Sequence, residues 1–184
     1  MQLAQSARPQ IANPYDEVHL DLISKFGMPE DEFALRDSLR ALHRAFPNPR
    51  QLAGLKILDI ACGCIRGSAE ADANRGTWAP WLCRAVDILG GHAVGLDIGR
   101  VSSLDTFEFH RCDLTHEDTL VQFEDSSFDG ISCSNLFSSP HLVYRLQQSR
   151  DQRAAMAERI QNHVNRLLGF GGVLIEFDNR LDNH

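Results

Sequence analysis

The chain lacks any apolar run near the ~20 residues that a membrane-spanning helix needs, so the sequence predicts no membrane partner. It also lacks an excess of basic residues: 18 lysines and arginines stand against 25 acidic residues, and the formal net charge is −7. A protein whose main partner is a phosphate backbone favours a basic face. Nucleic acid is therefore not expected as a partner, and we interpret the five arginines within 145–166 as the solvated face of a helix.

The sequence also predicts no secretory signal, because no charged segment followed by an apolar one opens it. The cysteines number five, which is odd, and we interpret them as reduced thiols of a cytoplasmic protein rather than as a disulfide framework. Cys62 and Cys64 form a CxC pair, but no second Cys or His pair follows at zinc-like spacing. The sequence therefore predicts no metal site.

The spacing of apolar residues changes near residue 50 and divides the 184 residues into two parts. Residues 1–49 read as an arm followed by a helical pair, in which apolar residues recur at helical spacing over 15–46. Residues 50–184 carry the strands, and the whole is expected to form one compact domain. Two interpretations of the helical pair stay open: it packs on a sheet, or it forms a lid over a pocket.

Short apolar strands alternate with helices beyond residue 50. The predicted strands are 55–60, 93–98, 107–112, 128–133 and 173–177, and the predicted helices between them include 78–89 and 140–168. Strands that are separated by helices form parallel sheets. The sequence thus predicts an α/β fold with a doubly wound, mainly parallel sheet of at least five strands, whose ligand site lies at the carboxyl ends of the strands.

Polar residues stand at these predicted strand ends. Asp59 precedes a loop of small residues after the first strand, and Asp97 ends the second strand. Asp113 follows the third strand, and Ser134-Asn135 follows the fourth. A carboxylate after the second strand of such a sheet can accept both hydroxyls of a ribose, and small residues let a backbone approach a ligand closely. The arrangement predicts a nucleoside site.

At these positions the sequence resembles the class I methyltransferases that use S-adenosylmethionine (SAM). The similar segments are Leu58–Cys64 with its acidic residue and glycine loop, Val94–Ile98 with its ribose-binding acid, Cys112–Leu114, Phe128–Ile131, and the Gly171-Gly172 turn into the fifth strand. The resemblance implies a Rossmann-like fold, SAM as cofactor with S-adenosylhomocysteine (SAH) as product, and methyl transfer to an acceptor. We expect that acceptor to be a small molecule or a protein.

The resemblance also implies a set of cofactor-binding residues, namely Asp59, Ala61, Cys62, Gly63, Asp97, Ile98, Cys112, Asp113, Leu114, Ser134 and Asn135. His141 and Tyr144 are candidates for removing a proton from the acceptor, and His110 is a further one. Local roles compete with these assignments: Asp59 could brace its own loop, Asp97 could cap a strand end, and Asp113 could cap a helix.

The sequence departs from the family pattern at several points. Ala61 and Ile65 replace glycines of the first loop, and the following segment 64–77 is long enough to be a lid or a specificity insertion. Only seven residues follow Phe177, so a second copy of the chain is one way to cover an exposed sheet edge. Two other functions stay open: a non-catalytic binding or regulatory protein of the same fold, and a dehydrogenase that uses NAD, although the G-x-G-x-x-G fingerprint of the latter is missing.

Overall fold

The structure, a computed structural model, describes residues 13–29, 32–64, 79–137, 139, 142–143 and 146–177. The helices and strands follow in the order α1 (Asp16–Phe26), α2 (Glu32–Ala45), β1 (Lys56–Ile60), α3 (Trp81–Ile88), β2 (His92–Asp97), β3 (Glu108–Arg111), β4 (Phe128–Cys133), α4 (Arg150–Leu167) and β5 (Leu168–Phe177), with short 3-10 turns at Pro49–Leu52 and Glu117–Leu120. No helix in these described ranges is long and apolar enough to cross a membrane.

The five strands form one sheet in the order β3-β2-β1-β4-β5, and every neighbouring pair is parallel. The chain first winds outward from β1 to β3 and then returns to place β4 on the other side of β1. Strand order therefore reverses between β1 and β4, which makes the fold doubly wound and Rossmann-like, as predicted. Ile57, Leu58 and Ile60 of the central strand are fully buried, because helices or loops cover both faces of such a sheet.

Helices α1, α2 and α3 cover one face of the sheet. Their apolar stripes join Ile57, Ala93 and Ile175 of the strands in one cluster of buried side chains. The buried Tyr15 hydroxyl donates a hydrogen bond to the Phe46 carbonyl at 2.8 Å, which ties the start of α1 to the end of α2. The two N-terminal helices thus pack into the same core as the sheet.

Helix α4 covers the opposite face together with the connection between β3 and β4. In its described part, that connection contains a single 3-10 turn in place of a full helix. Backbone carbonyls that no helix satisfies need other donors. Arg159 donates to the Leu114 carbonyl at 2.7 Å, and Arg166 donates to the carbonyls of Leu120 and Phe123 at 2.9 and 2.8 Å.

The interpretation of the arginine stretch as a solvated face was therefore wrong for its described inner members. Arg153 is 3% exposed and donates to the Gln148 carbonyl at 3.0 Å. Arg159 and Arg166 lie along the same side of α4 and hold the β3–β4 connection. Sequence periodicity does not show this, because it records only where apolar residues recur.

Two predicted boundaries also needed correction. Helix α4 begins at Arg150 rather than near 140, because the Ser149 hydroxyl accepts from the Gln152 amide at 3.2 Å and the Gln152 side chain accepts from the Ser149 amide at 2.8 Å. This reciprocal capping box fixes a helix start. Strand β5 begins at Leu168 rather than Val173, since Leu168 already pairs with Phe128 before a bulge shifts the register.

Candidate functional site

The carboxyl ends of β1, β2 and β4 meet where the strand order reverses. In open α/β sheets this crevice is where ligands bind. Strand β1 has β2 on one side and β4 on the other. The structure therefore brings together the polar residues that the sequence placed after these three strands.

Asp97 is the residue that joins the loop after β1 to the end of β2. Its Oδ2 accepts from the Gly63 amide at 3.0 Å, and its Oδ1 accepts from the Gly99 amide at 3.0 Å. A second bond from the Cys62 amide to the Leu96 carbonyl, at 3.0 Å, supports the same junction. An ionised carboxylate has about four acceptor positions. The half-buried Asp97 side chain thus braces the loop, and these contacts with described residues use only part of its acceptor capacity.

The loop Ala61–Cys64 turns sharply at two left-handed residues. Ala61 has φ 61° and Gly63 has φ 97°. Only glycine adopts such angles freely, and an alanine there costs roughly 1–2 kcal/mol. Ala61 therefore keeps the backbone path that a glycine loop provides, at the expense of local strain.

Next to this loop, β2 carries Gly95, because neighbouring side chains fill the space that a larger residue would need. A Cβ on Gly95 would stand 2.8 Å from Cys62 Sγ, 3.0 Å from Phe107 and 3.2 Å from Cys83 Sγ. Cys62 thus points into the core under α3, and burial raises its pKa well above that of an ordinary thiol. Cys62 can therefore offer a ligand its backbone but not a reactive sulfur, since a buried neutral thiol is not a nucleophile.

Asp59 is almost fully buried, with 4% exposure, and it faces Cys83 of α3. Burial is the main cause that raises its pKa to about 7, and the carboxylates of Asp97 and Glu176 add to the rise. The Ser132 hydroxyl and the Cys83 thiol, whose sulfur is 3.8 Å from Asp59 Oδ2, act in the opposite direction and are outweighed. A buried carboxyl with so few donors among the described residues can receive a cation or a proton.

On the β3 side, Cys112 is bound through its amide to the Asp97 carbonyl at 2.9 Å. Asp113 Oδ1 accepts from both the amide and the hydroxyl of Thr115, at 2.9 and 2.7 Å. These bonds close a local turn, and Asp113 does not cap a helix, because the next 3-10 turn begins at Glu117 with His116 as its N-cap. Leu114 is buried beneath this turn, and Ile98 is half-exposed beside it.

The β4 end presents Ser134 and Asn135, both half-buried. Asn135 has φ 56°, and the Ser134 hydroxyl donates to Glu176 Oε2 at 2.9 Å. The proton-removing candidates His141 and Tyr144 lie outside the described residues. His110 lies on β3 at the far edge of the sheet, 2.6 Å from Glu108 Oε1, so β1 and β2 separate it from the β4 end.

The segment after β2 is fastened to α3 by a buried ion pair. Arg84 Nε is 2.7 Å from Asp105 Oδ1, and their side chains are 5% and 0% exposed. Asp105 also accepts from the Ser102 amide at 2.7 Å, while the Arg84 guanidinium lies over the Phe26 and Trp81 rings. Trp81 is accordingly a core residue. The pair fixes the loop that begins with Ile98 and Gly99.

Sequence reasoning missed Glu176 at the end of β5. It is the one acid in the apolar segment 173–177, and its Oε1 lies 3.7 Å from an Arg44 nitrogen of α2. The rule that identified Asp97, an acid at the carboxyl end of a strand, would have found it if applied to the fifth strand.

No protein-family model and no curated protein matches the chain. Among solved structures, it is similar to a cyclopropane-fatty-acyl-phospholipid synthase-like protein from Lactobacillus casei ATCC 334, at 16% identity and TM-score 0.46, over 83% of this chain and 55% of that one. It is also similar to the trans-methyltransferase CalH in complex with SAH, at 18% identity and TM-score 0.40, over 84% and 40%.

A third similar structure is CrArsM, an arsenic(III) SAM methyltransferase from Chlamydomonas reinhardtii, at 18% identity and TM-score 0.35, over 73% of this chain and 45% of that one. The chain therefore spans between 40% and 55% of the length of these three proteins. The likeness is one of fold. The strand order itself confirms the predicted Rossmann-like sheet.

Proposed function

We propose that this chain binds SAM at the carboxyl ends of β1, β2 and β3 and transfers its methyl group to a small-molecule or protein acceptor. The observation that carries the proposal is Asp97, whose carboxylate joins the turn after β1 to the end of β2 at 3.0 Å on each side. It stands where an acid of this fold accepts the hydroxyls of a ribose.

The remaining predicted residues take roles according to the strand that positions them. The adenine would be held at the ends of β2 and β3 by Ile98, Cys112, Asp113 and Leu114. The amino-acid part would lie against the backbone of Ala61, Cys62 and Gly63, with Asp59 below it. The transferred group would be nearest to Ser134 and Asn135.

The site residues fit a cofactor that carries positive charge. The Ser132 hydroxyl is fully buried and has no hydrogen-bond partner of good geometry among the described residues. It lies in register with Asp59, whose carboxyl also has few donors within the described part of the chain. When bound, SAM supplies a methyl group already activated by its sulfonium, so the protein contributes mainly position and exclusion of water. We propose His141 or Tyr144 for removing a proton from an acceptor that must lose one.

Calorimetric titration with SAM, SAH and NAD tests the proposal. We expect the wild-type chain to bind SAM and SAH but not NAD. Asp97→Ala should lose affinity for both by roughly 30- to 100-fold, because a charge-assisted contact to two hydroxyls is removed. Asp97→Asn, which keeps one acceptor oxygen for the loop, should lose less affinity than Asp97→Ala.

A matched control comes from the opposite end of the strands. Asp129 accepts the Lys56 amide at 2.8 Å, so it has the same local role as Asp97 but lies at the amino ends of the strands. Asp129→Ala should lower stability without changing the affinity for SAM. If millimolar SAM and SAH show no binding to the wild-type chain, the cofactor assignment is wrong. Binding without methyl transfer to any pool of small molecules or proteins would instead favour a non-catalytic role.

A further inference from the structure

Asp59, Ser132 and Glu176 form a row of polar residues across three neighbouring strands. Asp59 of β1 pairs in register with Ser132 of β4, and Ser132 pairs with Glu176 of β5. Residues in register on parallel strands point to the same face, with strands about 4.8 Å apart. The row therefore places two carboxyl groups on one side of the sheet with a buried hydroxyl between them.

Glu176 is held at the exposed end of this row. Ser134 donates to its Oε2 at 2.9 Å, while Arg44 stands 3.7 Å from its Oε1. The side chains of Arg44 and Glu176 are 59% and 27% exposed, so water screens their attraction and the ion pair is weak. The carboxylate is thus fixed in position without being fully neutralised.

The strand order gives the direction in which a bound cofactor runs. With adenine at the end of β3 and ribose on Asp97 at the end of β2, the rest of the molecule would extend over β1 toward β4 and β5. The sulfonium of SAM would then lie toward the side of the sheet that holds Asp59 and Glu176. SAM carries a positive charge at sulfur, whereas SAH is neutral there, and the two share the same amino-acid group.

We propose that Glu176 is a specificity-determining residue, whose carboxylate favours the sulfonium of SAM over the neutral thioether of SAH. This inference rests on the proposed function. Its physical basis is the attraction between the fixed carboxylate and the sulfonium charge, which falls with distance and with solvent screening. Because SAH lacks that charge, removal of the carboxylate should affect one ligand and spare the other.

Calorimetric titration of SAM and SAH into the wild-type chain, Glu176→Gln and Arg44→Met tests this. Glutamine keeps an acceptor oxygen for Ser134 but removes the charge, so SAM should bind roughly three- to tenfold more weakly, while SAH affinity stays within about twofold. Arg44→Met removes the opposing cation and should tighten SAM by roughly twofold without a matching change for SAH. Urea unfolding of each variant shows that it is folded.

The two directions of change separate a charge effect from structural damage, because a damaged site does not tighten for SAM alone. Equal losses for SAM and SAH in Glu176→Gln, or no loss for either, would overturn the role of Glu176 while leaving the cofactor assignment in place. A wild-type chain that binds neither ligand would overturn the proposed function and this inference together.

Discussion

Asp59 shows how one residue links the packing of the sheet to pH. Burial raises its pKa to about 7 from an ordinary value of 3.8. Between these two values the folded state binds the proton more tightly than the unfolded state does, so the free energy of unfolding falls as pH rises. This contribution to stability is complete below the unfolded pKa and is lost by the time the pH passes 7.

We therefore predict that Asp59→Asn, which cannot ionise, becomes more stable relative to the wild-type chain as pH rises. Between pH 5 and pH 8, the difference in free energy of unfolding should move in favour of the variant by about 3 kcal/mol. Urea unfolding of the ligand-free proteins at several pH values measures it. A difference that stays constant with pH would contradict the burial argument.

Cys83→Ala provides a second test of the same carboxyl. Its thiol lies 3.8 Å from Asp59 Oδ2 and helps to lower the pKa of Asp59. Without it, the pKa of Asp59 should rise further, so the fall in stability should extend above pH 7. The small cavity left by the thiol lowers the free energy of unfolding by the same amount at every pH, so it does not change the pH dependence.

At the scale of elements, the β3–β4 connection contains only a 3-10 turn in its described part, and side chains of helix α4 donate to backbone carbonyls of that connection. Arg166 spans two carbonyls of that connection, Leu120 and Phe123, and its side chain is 29% exposed. Arginine can do this because its guanidinium presents several donors in a fixed plane. The arginines of α4 thus hold the β3–β4 connection against the core.

We predict that Arg166→Met lowers the free energy of unfolding by about 2 kcal/mol, because two carbonyls lose a charged donor. Arg166→Lys should recover only part of this, since a single ammonium cannot reach both carbonyls with the same geometry. Arg150→Met is the matched control: it lies on the same helix and is exposed, so its effect should stay within about 0.5 kcal/mol. Equal losses in Arg150→Met and Arg166→Met would refute a specific role for Arg166.

The strands of the sheet could be predicted from a single sequence, whereas the contacts between elements could not. The parallel sheet was predictable because its strands are buried on both faces and read as short apolar runs between turn residues. The position of Asp97 at the end of β2 was predictable because the strand-end rule needs only the order of elements. The contacts of Glu176 with Ser134 and Arg44 were not, because they depend on strand register and on where α2 packs.

At the scale of the whole molecule, the N-terminal helices share one core with the sheet. Leu42 of α2 and Val86 of α3 are both fully buried in the cluster that contains Ile57 of β1. Trp81 of α3 meets the Phe26 ring of α1 edge to face, with ring centres 6.3 Å apart. A core without an internal boundary predicts a single cooperative unfolding transition.

We predict that Trp81 fluorescence and far-ultraviolet circular dichroism change at the same urea concentration. A Trp78→Phe background makes Trp81 the only reporter among the two tryptophans of the chain. In that background, Leu42→Ala should lower both midpoints together, at a cost of about 2–5 kcal/mol for the lost side chain and its cavity. The exposed Arg40→Ala on the same helix should leave both nearly unchanged. Separate midpoints, with Leu42→Ala moving only the fluorescence transition, would show instead that the helical pair unfolds by itself as a unit docked on the sheet.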